Sequence, residues 1–263
     1  MEKAMELRNV SVVRSGKKLL DDVNLDIGAA ENVAVIGPNG SGKTTLIKLL
    51  RGDIYPYYDE TEPPVMKIFG ETNWSLYDVR SKMGVVSMDL QNMFSDDTVV
   101  RDVVLSGYFS SLDIFRSHEV SDFMLKGAEN AMEYMGIENL AERTLDGLSL
   151  GEMRRTLISR ALVTSPKMLV LDEPMTGLDV VMKSKFRKMF DLMTDAGVNI
   201  VMITHDLTDI PQSLNRIIMI KDGKIYADGP KSELLTSEKV SELFDEPINI
   251  QYNNGIYSMR MVE

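Results

Sequence analysis

Apolar residues occur along this chain in two kinds of run, and the alternation of the two predicts a mixed α/β fold. Short, almost wholly apolar runs cover residues 33–36, 168–171 and 199–203, and such runs are typical of strands buried on both faces. The longer segments between them repeat apolar side chains every three or four positions, as amphipathic helices do. Strands that alternate with helices in this way predict a doubly wound α/β core.

The N-terminal part of the chain follows a different pattern. Residues 4–13 and 19–27 are rich in Val and Leu, and the residues 15–17 between them predict a turn. We therefore expect an N-terminal antiparallel β-subdomain that leans on the core. Residues 53–64 combine prolines, acids and tyrosines, which indicates a loop. Two further strands are expected at residues 65–69 and 83–87.

From about residue 89 to residue 165 the pattern is mostly helical. One predicted helix has Ala128 and Met132 on its apolar face and is stopped by Gly136. No β-rich run interrupts this part of the sequence. We therefore predict one domain in which a helical subdomain, about residues 88–165, is inserted into a core formed by residues 1–87 and 166–263.

The last third of the chain returns to alternating elements. We expect a helix at about residues 180–195, a type I′ hairpin at Asp222-Gly223, a short helix at about 231–244 and a final strand pair around residues 253–255.

The composition narrows the possible partners. The chain has 263 residues, of which 44% are hydrophobic and 26% charged, and this is ordinary for a soluble globular domain. A net charge of −11 disfavours binding to a nucleic-acid backbone, so we expect no nucleic-acid partner. The sequence contains no cysteine, no run of 18 apolar residues and no signal-like N-terminus. These features favour an intracellular protein that does not span a membrane.

Residues 37–45 have the pattern G-x-x-x-x-G-K-[S/T] between an apolar run and a helix-like run, the context in which it binds nucleotide phosphates. The glycines let backbone N–H groups curl around phosphate oxygens, and the helix N-terminus adds partial positive charge. Lys43 can reach the β- and γ-phosphates, and the Thr44 hydroxyl can ligate Mg²⁺. The candidate phosphate-binding residues are Gly37, Pro38, Asn39, Gly40, Ser41, Gly42, Lys43, Thr44 and Thr45.

A second candidate element is the acidic pair that ends the apolar run 168–171. A carboxylate at the tip of a buried strand beside a phosphate loop can hold Mg²⁺, and Asp172 fits that role. Glu173 comes one residue later and could polarise an attacking water molecule. Without the phosphate loop, a solvated acidic pair would be the better interpretation.

Residues 148–152 form a third element before a long predicted helix. Ser149 and Glu152 match the S-x-x-E capping box, so part of this pattern is helix-start chemistry. A capped helix N-terminus with Gly151 beside it can also offer N–H groups to a phosphate, and the two interpretations are compatible.

In this order the motifs resemble those of an ATP-binding cassette (ABC) ATPase, and the resemblance covers almost the whole chain. Residues 37–45 correspond to Walker A, 148–152 to the signature, 168–173 to Walker B, 176–179 to the D-loop, and His205 to the switch histidine. The family has a P-loop NTPase (RecA-like) core with an antiparallel β-subdomain and a helical subdomain. The resemblance therefore implies that fold.

The resemblance also implies a dimer of cassettes, here a homodimer by expectation, with two ATP molecules between the subunits. Ser149 and Gly151 of one subunit would contact the γ-phosphate bound by Lys43 of the other, and Asp179 belongs to the D-loop near that interface. Glu173 would be the catalytic base, and His205 would hold the γ-phosphate and the water in line.

Two positions depart from the family pattern. The residue that usually stacks on adenine is aromatic, whereas the corresponding position here is Arg14, whose guanidinium plane can also stack on a base. The family also has a glutamine that contacts Mg²⁺ after a strand. By spacing that position is Met88, which cannot coordinate a hard cation, and Gln91 could substitute if the loop bends. The signature usually has two central glycines, whereas here Leu150 takes the first of these positions and Gly151 the second.

The resemblance favours the ATPase subunit of a membrane transporter. Such a subunit would lie at the cytoplasmic face of the membrane and grip a separate permease through a groove near residues 88–116. Within the family, the segments around residues 51–71 and 103–107 look most like the molybdate-type group. The alternatives are a soluble cassette ATPase with a regulatory role and a degenerate cassette that binds ATP without turnover. The acidic charge and single cassette argue against the first, and the presence of Lys43, Asp172, Glu173 and His205 argues against the second.

Overall fold

The computed structural model describes residues 2–75, 79, 81–112, 114 and 118–262 of the chain. In chain order, the strands of these residues are β1 Lys3–Arg14, β2 Lys17–Gly28, β3 Val33–Ile36, β4 Val65–Ile68, β5 Met83–Val86, β6 Met168–Asp172, β7 Asn199–Thr204, β8 Arg216–Lys221, β9 Lys224–Pro230, β10 Ile248–Asn253 and β11 Ile256–Met261. The α-helices are α1 Lys43–Leu50, α2 Met88–Gln91, α3 Val100–Ser106, α4 Asp122–Tyr134, α5 Leu150–Leu162, α6 Val180–Asp195, α7 Lys231–Leu234 and α8 Ser237–Phe244.

A six-stranded sheet forms the centre of the fold, with the strand order β5-β6-β7-β3-β8-β9. Its first five strands pair in parallel, and β9 adds an antiparallel edge through the hairpin with β8. The three apolar runs are its middle strands, and all four residues of β3 are buried because the sheet is covered on both faces. The doubly wound core is confirmed.

The strand order brings the carboxyl ends of β3, β6 and β7 to one edge. In the register of these parallel pairs, Asp172 at the end of β6 lies beside Ile203, and Ile36 at the end of β3 lies beside Thr204. The segments that follow β3, β6 and β7 therefore leave the sheet side by side. This edge is where doubly wound sheets bind ligands.

The N-terminal strands form a separate antiparallel sheet with the order β2-β1-β4. Its apolar side chains join the core under the sheet, where Leu7, Leu20 and Ile27 are fully buried beside α1. The expected β-subdomain is confirmed, and so is the turn between its first two strands, where Ser15 and Gly16 have positive φ.

The middle of the chain is helical, as predicted. Helices α3, α4 and α5 pack together, and Ala128, Ala131 and Met132 on α4 are buried between them. Gly107 follows α3 at a close crossing, since a Cβ there would lie 2.2 Å from the carbonyl oxygen of Arg160 on α5. The limits given above for the subdomains stay a prediction.

One predicted helix near the C-terminus is wrong in detail. The segment 231–244 is two helices, α7 and α8, because Leu235 leaves helical geometry with φ −83° and ψ 61°. The Thr236 hydroxyl then accepts a hydrogen bond from the Lys239 N–H and starts the second helix. The hairpin turn is confirmed as type I′, since both Asp222 and Gly223 have positive φ. None of the helices in the described part of the chain is long and apolar enough to cross a membrane.

Candidate active site

The phosphate loop, residues 37–42, turns tightly between β3 and α1. Gly40 and Gly42 have φ of 81° and 112°, in the left-handed region that favours glycine. Gly37 is required for a different reason, because a Cβ there would lie 2.2 Å from the carbonyl oxygen of Ile220 on β8. No side chain caps α1, whose N-cap residue is Gly42, so the first N–H groups of this helix are left for an anion.

Lys43 is the first residue of α1 and is only 7% exposed. Its Nζ atom donates hydrogen bonds to the carbonyl oxygens of Gly37 at 2.7 Å and Pro38 at 3.0 Å. Burial lowers the pKa of this ammonium group, although Glu173 and Asp172 act in the opposite direction. The loop therefore holds a buried cation close to two carboxylates.

Asp172 and Glu173 end β6 beside this loop. Burial raises the pKa of Asp172 to about 6, with further contributions from the negative charges of Glu173 and Asp89. The carboxylate form of Asp172 is thus destabilised where it lies, and a bound cation would relieve that repulsion.

Glu173 has an unusual backbone conformation for a non-glycine residue, with φ of 50°. Its N–H donates to the carbonyl oxygen of Ile203 on β7, 2.9 Å away. Its carboxylate is held by two side chains, with Oε1 2.8 Å from His205 Nδ1 and Oε2 accepting from the Thr176 hydroxyl at 3.1 Å. Left-handed conformations of this kind cost roughly 1 kcal/mol or more and occur most often at functional sites. The fold thus directs Glu173 toward His205 across the tips of two strands.

These elements enclose a cavity of ≈ 440 Å³ at the edge of the sheet. The residues that line it are Leu19, Asn39, Gly40, Gly42, Lys43, Thr44, Thr45, Met88, Asp172, Glu173, Thr176 and His205. The structure therefore brings together the predicted phosphate loop, acidic pair and histidine, which come from widely separated parts of the chain.

One of the residues in this lining, Leu19, was not singled out in the sequence. Leu19, near the start of β2, comes close to the loop, since a Cβ on Gly42 would lie 2.9 Å from its carbonyl oxygen. Thr176 is the first residue of the predicted D-loop, and its hydrogen bond to Glu173 becomes visible only in three dimensions.

Met88, and not Gln91, is the residue of α2 that lines the cavity, among the residues that the structure describes. Gln91 lies one turn further along α2, where its Oε1 accepts a hydrogen bond from Arg154 Nη1 at 2.9 Å. The same guanidinium group contacts the sulfur of Met88. A metal-binding role for Gln91 would require this pairing to Arg154 to be exchanged.

Arg14 is exposed at the end of β1, where it pairs with Lys17 across the turn. It is not one of the described residues that line the cavity. Its role in stacking on adenine stays a prediction.

The signature segment, residues 148–152, opens α5 away from this cavity. The predicted capping box is confirmed, since the Ser149 hydroxyl accepts from the Glu152 N–H at 3.4 Å and the Ser149 N–H donates to Glu152 Oε2 at 2.8 Å. Gly151 is buried against α6, because a Cβ there would lie 2.5 Å from the methyl carbon of Met182. Asp179 caps α6 and accepts a hydrogen bond from the Met182 N–H at 2.8 Å. Neither Ser149 nor Gly151 lines the cavity of its own chain among the described residues.

A phosphate loop, an acidic strand end and a histidine around one cavity define a P-loop nucleotide-hydrolysing protein. The family model of the ABC transporters matches residues 20–176, so the chain belongs to the ABC transporter family.

Curated relatives extend this likeness beyond the matched segment. The ABC transporter ATP-binding protein YlmA of Bacillus subtilis is 32% identical over 254 residues, which is 95% of this chain and 94% of that protein. The ABC transporter ATP-binding protein ModF of Escherichia coli is also 32% identical, over 86% of this chain, which spans about half the length of that protein. The narrower resemblance to the molybdate-type group stays a prediction.

Solved structures show the same fold. The chain cbiO1 from Clostridium perfringens, described as part of the ABC transporter complex cbiONQ, matches with a TM-score of 0.76 and 25% identity. The match covers 92% of this chain and 94% of that one. The protein is therefore the ATP-binding and ATP-hydrolysing subunit of an ABC transporter. The soluble regulatory alternative receives no support from these comparisons.

Proposed function

We propose that this cavity hydrolyses ATP with Glu173 as the general base and His205 as the group that aligns it. The observation that carries the proposal is the 2.8 Å contact between Glu173 Oε1 and His205 Nδ1 beside the phosphate loop. In the proposed step, water attacks the γ-phosphorus, the bond to the β-phosphate oxygen breaks and ADP leaves. Glu173 accepts the proton of the attacking water. His205 holds the γ-phosphate and the carboxylate in one geometry, which places the water for in-line attack.

The phosphate loop supplies the binding part of this site. The N–H groups at the start of α1 and the Lys43 ammonium group would contact the phosphates, and Lys43 would exchange its bonds to Gly37 and Pro38 for phosphate oxygens. The lysine is thus positioned before the substrate arrives, which lowers the ordering cost of binding.

The residues present also fit Mg²⁺. Thr44 offers a hydroxyl oxygen and Asp172 a carboxylate oxygen in the same cavity, and Mg²⁺ prefers such hard oxygen ligands together with phosphate and water. The repulsion that raises the pKa of Asp172 is what a divalent cation would offset. Mg²⁺, when bound, neutralises charge on the phosphates. Gln91 is retained as a further candidate ligand, but its bond to Arg154 makes Thr44 and Asp172 the better supported pair.

A dimer of this chain would complete the site. Ser149 and Gly151 would reach the γ-phosphate bound to the partner's loop, and Asp179 would lie at the interface between subunits. The exposed apolar side chains that follow Asp179 support this arrangement, since Val180 is 82% and Val181 64% exposed at the start of α6.

A membrane permease is the other proposed partner. The groove predicted near residues 88–116 falls in part on residues 113, 115 and 116, which lie outside the described residues. A neighbouring cavity of ≈ 360 Å³ between the core and the helices combines apolar Met93 and Leu112 with the ion pair of Arg51 and Asp53, and such a mixed lining suits an amphipathic segment of another chain. We place the protein at the cytoplasmic face of the membrane, and co-purification with a multi-span permease is the observation that tests this partner.

The experiment that tests the proposed base is the substitution Glu173→Gln. The amide keeps the shape and cannot accept the proton, so turnover should fall on the order of 10²- to 10⁴-fold while ATP binding persists. In ATP and Mg²⁺ the variant should accumulate as a dimer, measured by light scattering on a sizing column. Glu238→Gln, on the exposed face of α8, is the matched control. Wild-type turnover in Glu173→Gln would remove Glu173 as the base.

A further inference from the structure

Two cations of α6 hold the segment that carries His205. We name residues 205–209, which follow β7, the switch loop. Lys183 Nζ lies 2.7 Å from Asp206 Oδ2 and 2.8 Å from Asp209 Oδ1, so one ammonium group bridges two acids of this loop. One turn further along α6, Arg187 Nη1 donates to the carbonyl oxygen of Thr208 at 2.7 Å.

The two acids are not ordinary surface carboxylates. Asp209 is 1% exposed and Asp206 is partly exposed. The Asp206 Oδ1 atom also accepts hydrogen bonds from the Thr208 N–H at 2.9 Å and the Thr208 hydroxyl at 2.7 Å. Asp206 directly follows His205 in the chain. Without Lys183 these carboxylates would repel each other, and Asp209 would be a buried charge without its counterion. The turn next to His205 would then be the first segment to rearrange.

The apolar packing of α6 is supplied by other side chains, since Phe186, Phe190 and Met193 are all buried in the core. Lys183 lies one turn before Phe186 on the same side of the helix, and its side chain is 19% exposed. Its ammonium group contacts the two acids of the switch loop.

The first turn of α6 also contacts the elements that belong to the dimer interface. The Lys183 N–H donates to the carbonyl oxygen of Asp179, 2.8 Å away, and the Met182 side chain lies against Gly151 of the signature. A displacement of this turn would thus act on the D-loop, the signature and, through Lys183, the switch loop.

We propose that Lys183 is a positioning residue that ties the switch loop to the D-loop helix and so keeps His205 within reach of Glu173. This inference rests on the proposed roles of Glu173 and His205. In this proposal Lys183 contacts neither ATP nor the attacking water, and it acts only through the orientation of the His205 side chain. Its loss should therefore lower kcat and leave nucleotide binding, which depends on the phosphate loop, unchanged.

The test compares Lys183→Met with Lys183→Arg and Lys185→Met in the full chain. Lys183→Met should lose turnover on the order of ten- to hundredfold because misplacement by about 1 Å is enough for such a loss. Its KM for ATP and its affinity for a non-hydrolysed ATP analogue should stay within about twofold. Lys183→Arg can bridge the two acids and should recover most of the turnover. Lys185 is exposed on the same helix, so Lys185→Met should behave as wild type.

A double-mutant cycle with His205→Ala separates this inference from the proposed function. If Lys183 acts through His205, adding Lys183→Met to His205→Ala should cost less than about twofold more. Additive losses, or a Lys183→Arg variant as impaired as Lys183→Met, would overturn the positioning role while leaving His205 in place. Wild-type turnover in His205→Ala would instead contradict the proposed function. Should Lys183→Met fail to fold, Lys183→Gln replaces it, with the same expected loss of kcat and unchanged affinity.

Discussion

The phosphate loop and the signature segment both lie at the start of a helix, but among the described residues the phosphate loop lines the candidate active site whereas Ser149 and Gly151 do not. Helix α1 begins without a side-chain cap, and its first residue, Lys43, is buried and held by the loop. Helix α5 begins with a complete capping box, and its Ser149 is exposed and bonded to Glu152. The start of α1 therefore leaves its N–H groups for a ligand, whereas at the start of α5 the N–H groups of Ser149 and Glu152 are satisfied internally.

If the site is shared between two subunits as proposed, this difference separates the half that binds ATP from the half that contributes to turnover alone. The capping box stabilises α5 without any ligand, by about 1 kcal/mol, so the signature segment does not need a partner subunit in order to stay folded. To reach a phosphate, the Ser149 hydroxyl must turn away from Glu152, to which it donates at 2.7 Å. We expect that exchange when a partner subunit brings its bound ATP to the signature. Nucleotide affinity should then depend on the loop, and turnover on both halves.

The largest expected effect comes from breaking each half separately. Lys43→Ala should abolish both ATP binding and turnover, because the charge that faces the phosphates is lost. Gly151→Asp should keep ATP binding in its own loop and lose turnover at least 10²-fold, because its carboxylate would face the partner's γ-phosphate. Gly151→Ala is the uncharged comparison, because it adds only a methyl group. That Cβ would displace only the flexible methyl group of Met182. Equal losses of affinity in the Lys43 and Gly151 variants would contradict the division of roles.

A smaller effect concerns the thermal stability of the protein in the absence of nucleotide and metal. The raised pKa of Asp172, about 6, means that the folded state holds this proton more tightly than the unfolded state does. The stability contributed by the protonated acid is present below about pH 4, is lost as the pH rises to about 6, and amounts to at most about 3 kcal/mol. Asp172→Asn cannot ionise, so at pH 7.5 the metal-free variant should melt about 2 to 6 °C above wild type while its turnover is lost.

That gain should disappear at about pH 4, where Asp172 of the wild type is protonated as well. Thermal unfolding at the two pH values measures it, with exposed Asp195→Asn as the control. A gain of the same size at both pH values would mean that the charge of Asp172 does not cause it.

The smallest expected effect is that of Arg14, which is not among the described residues that line the cavity. If its guanidinium group stacks on adenine, Arg14→Ala should weaken ATP binding by about 1 kcal/mol, or roughly fivefold. Lys17→Ala removes the same charge from the other side of the turn and controls for long-range attraction. Unchanged affinity in Arg14→Ala would remove this residue from the site.

The phosphate loop could be predicted from the sequence because its residues lie close together in the chain. The strand, the turn glycines and Lys43 lie within eleven residues, so local backbone rules are enough to define them. Asp172 and His205 were found because both end apolar strands, and the carboxyl ends of parallel strands meet at one edge. The family resemblance added the order of these motifs and the meaning of the signature.

What could not be predicted depends on pairings across the chain. Spacing suggested Gln91 as a substitute for the missing glutamine, and that role stays a prediction, but its hydrogen bond to Arg154 could not be inferred from the sequence. The bridge from Lys183 to Asp206 and Asp209 joins residues more than twenty positions apart. No periodicity indicates such a contact, because it depends on how α6 lies against the end of β7.

The central claim is that the two halves belong to different subunits, and mixing two inactive variants tests it most directly. Lys43→Ala keeps an intact signature and Gly151→Asp keeps an intact loop, so a mixed dimer contains one complete site out of two. With random pairing in equal amounts, half of the dimers are mixed, and ATPase activity should return to at most about a quarter of the wild-type rate. Activity above the sum of the two separate variants is the predicted result. A mixture no more active than that sum would contradict the account.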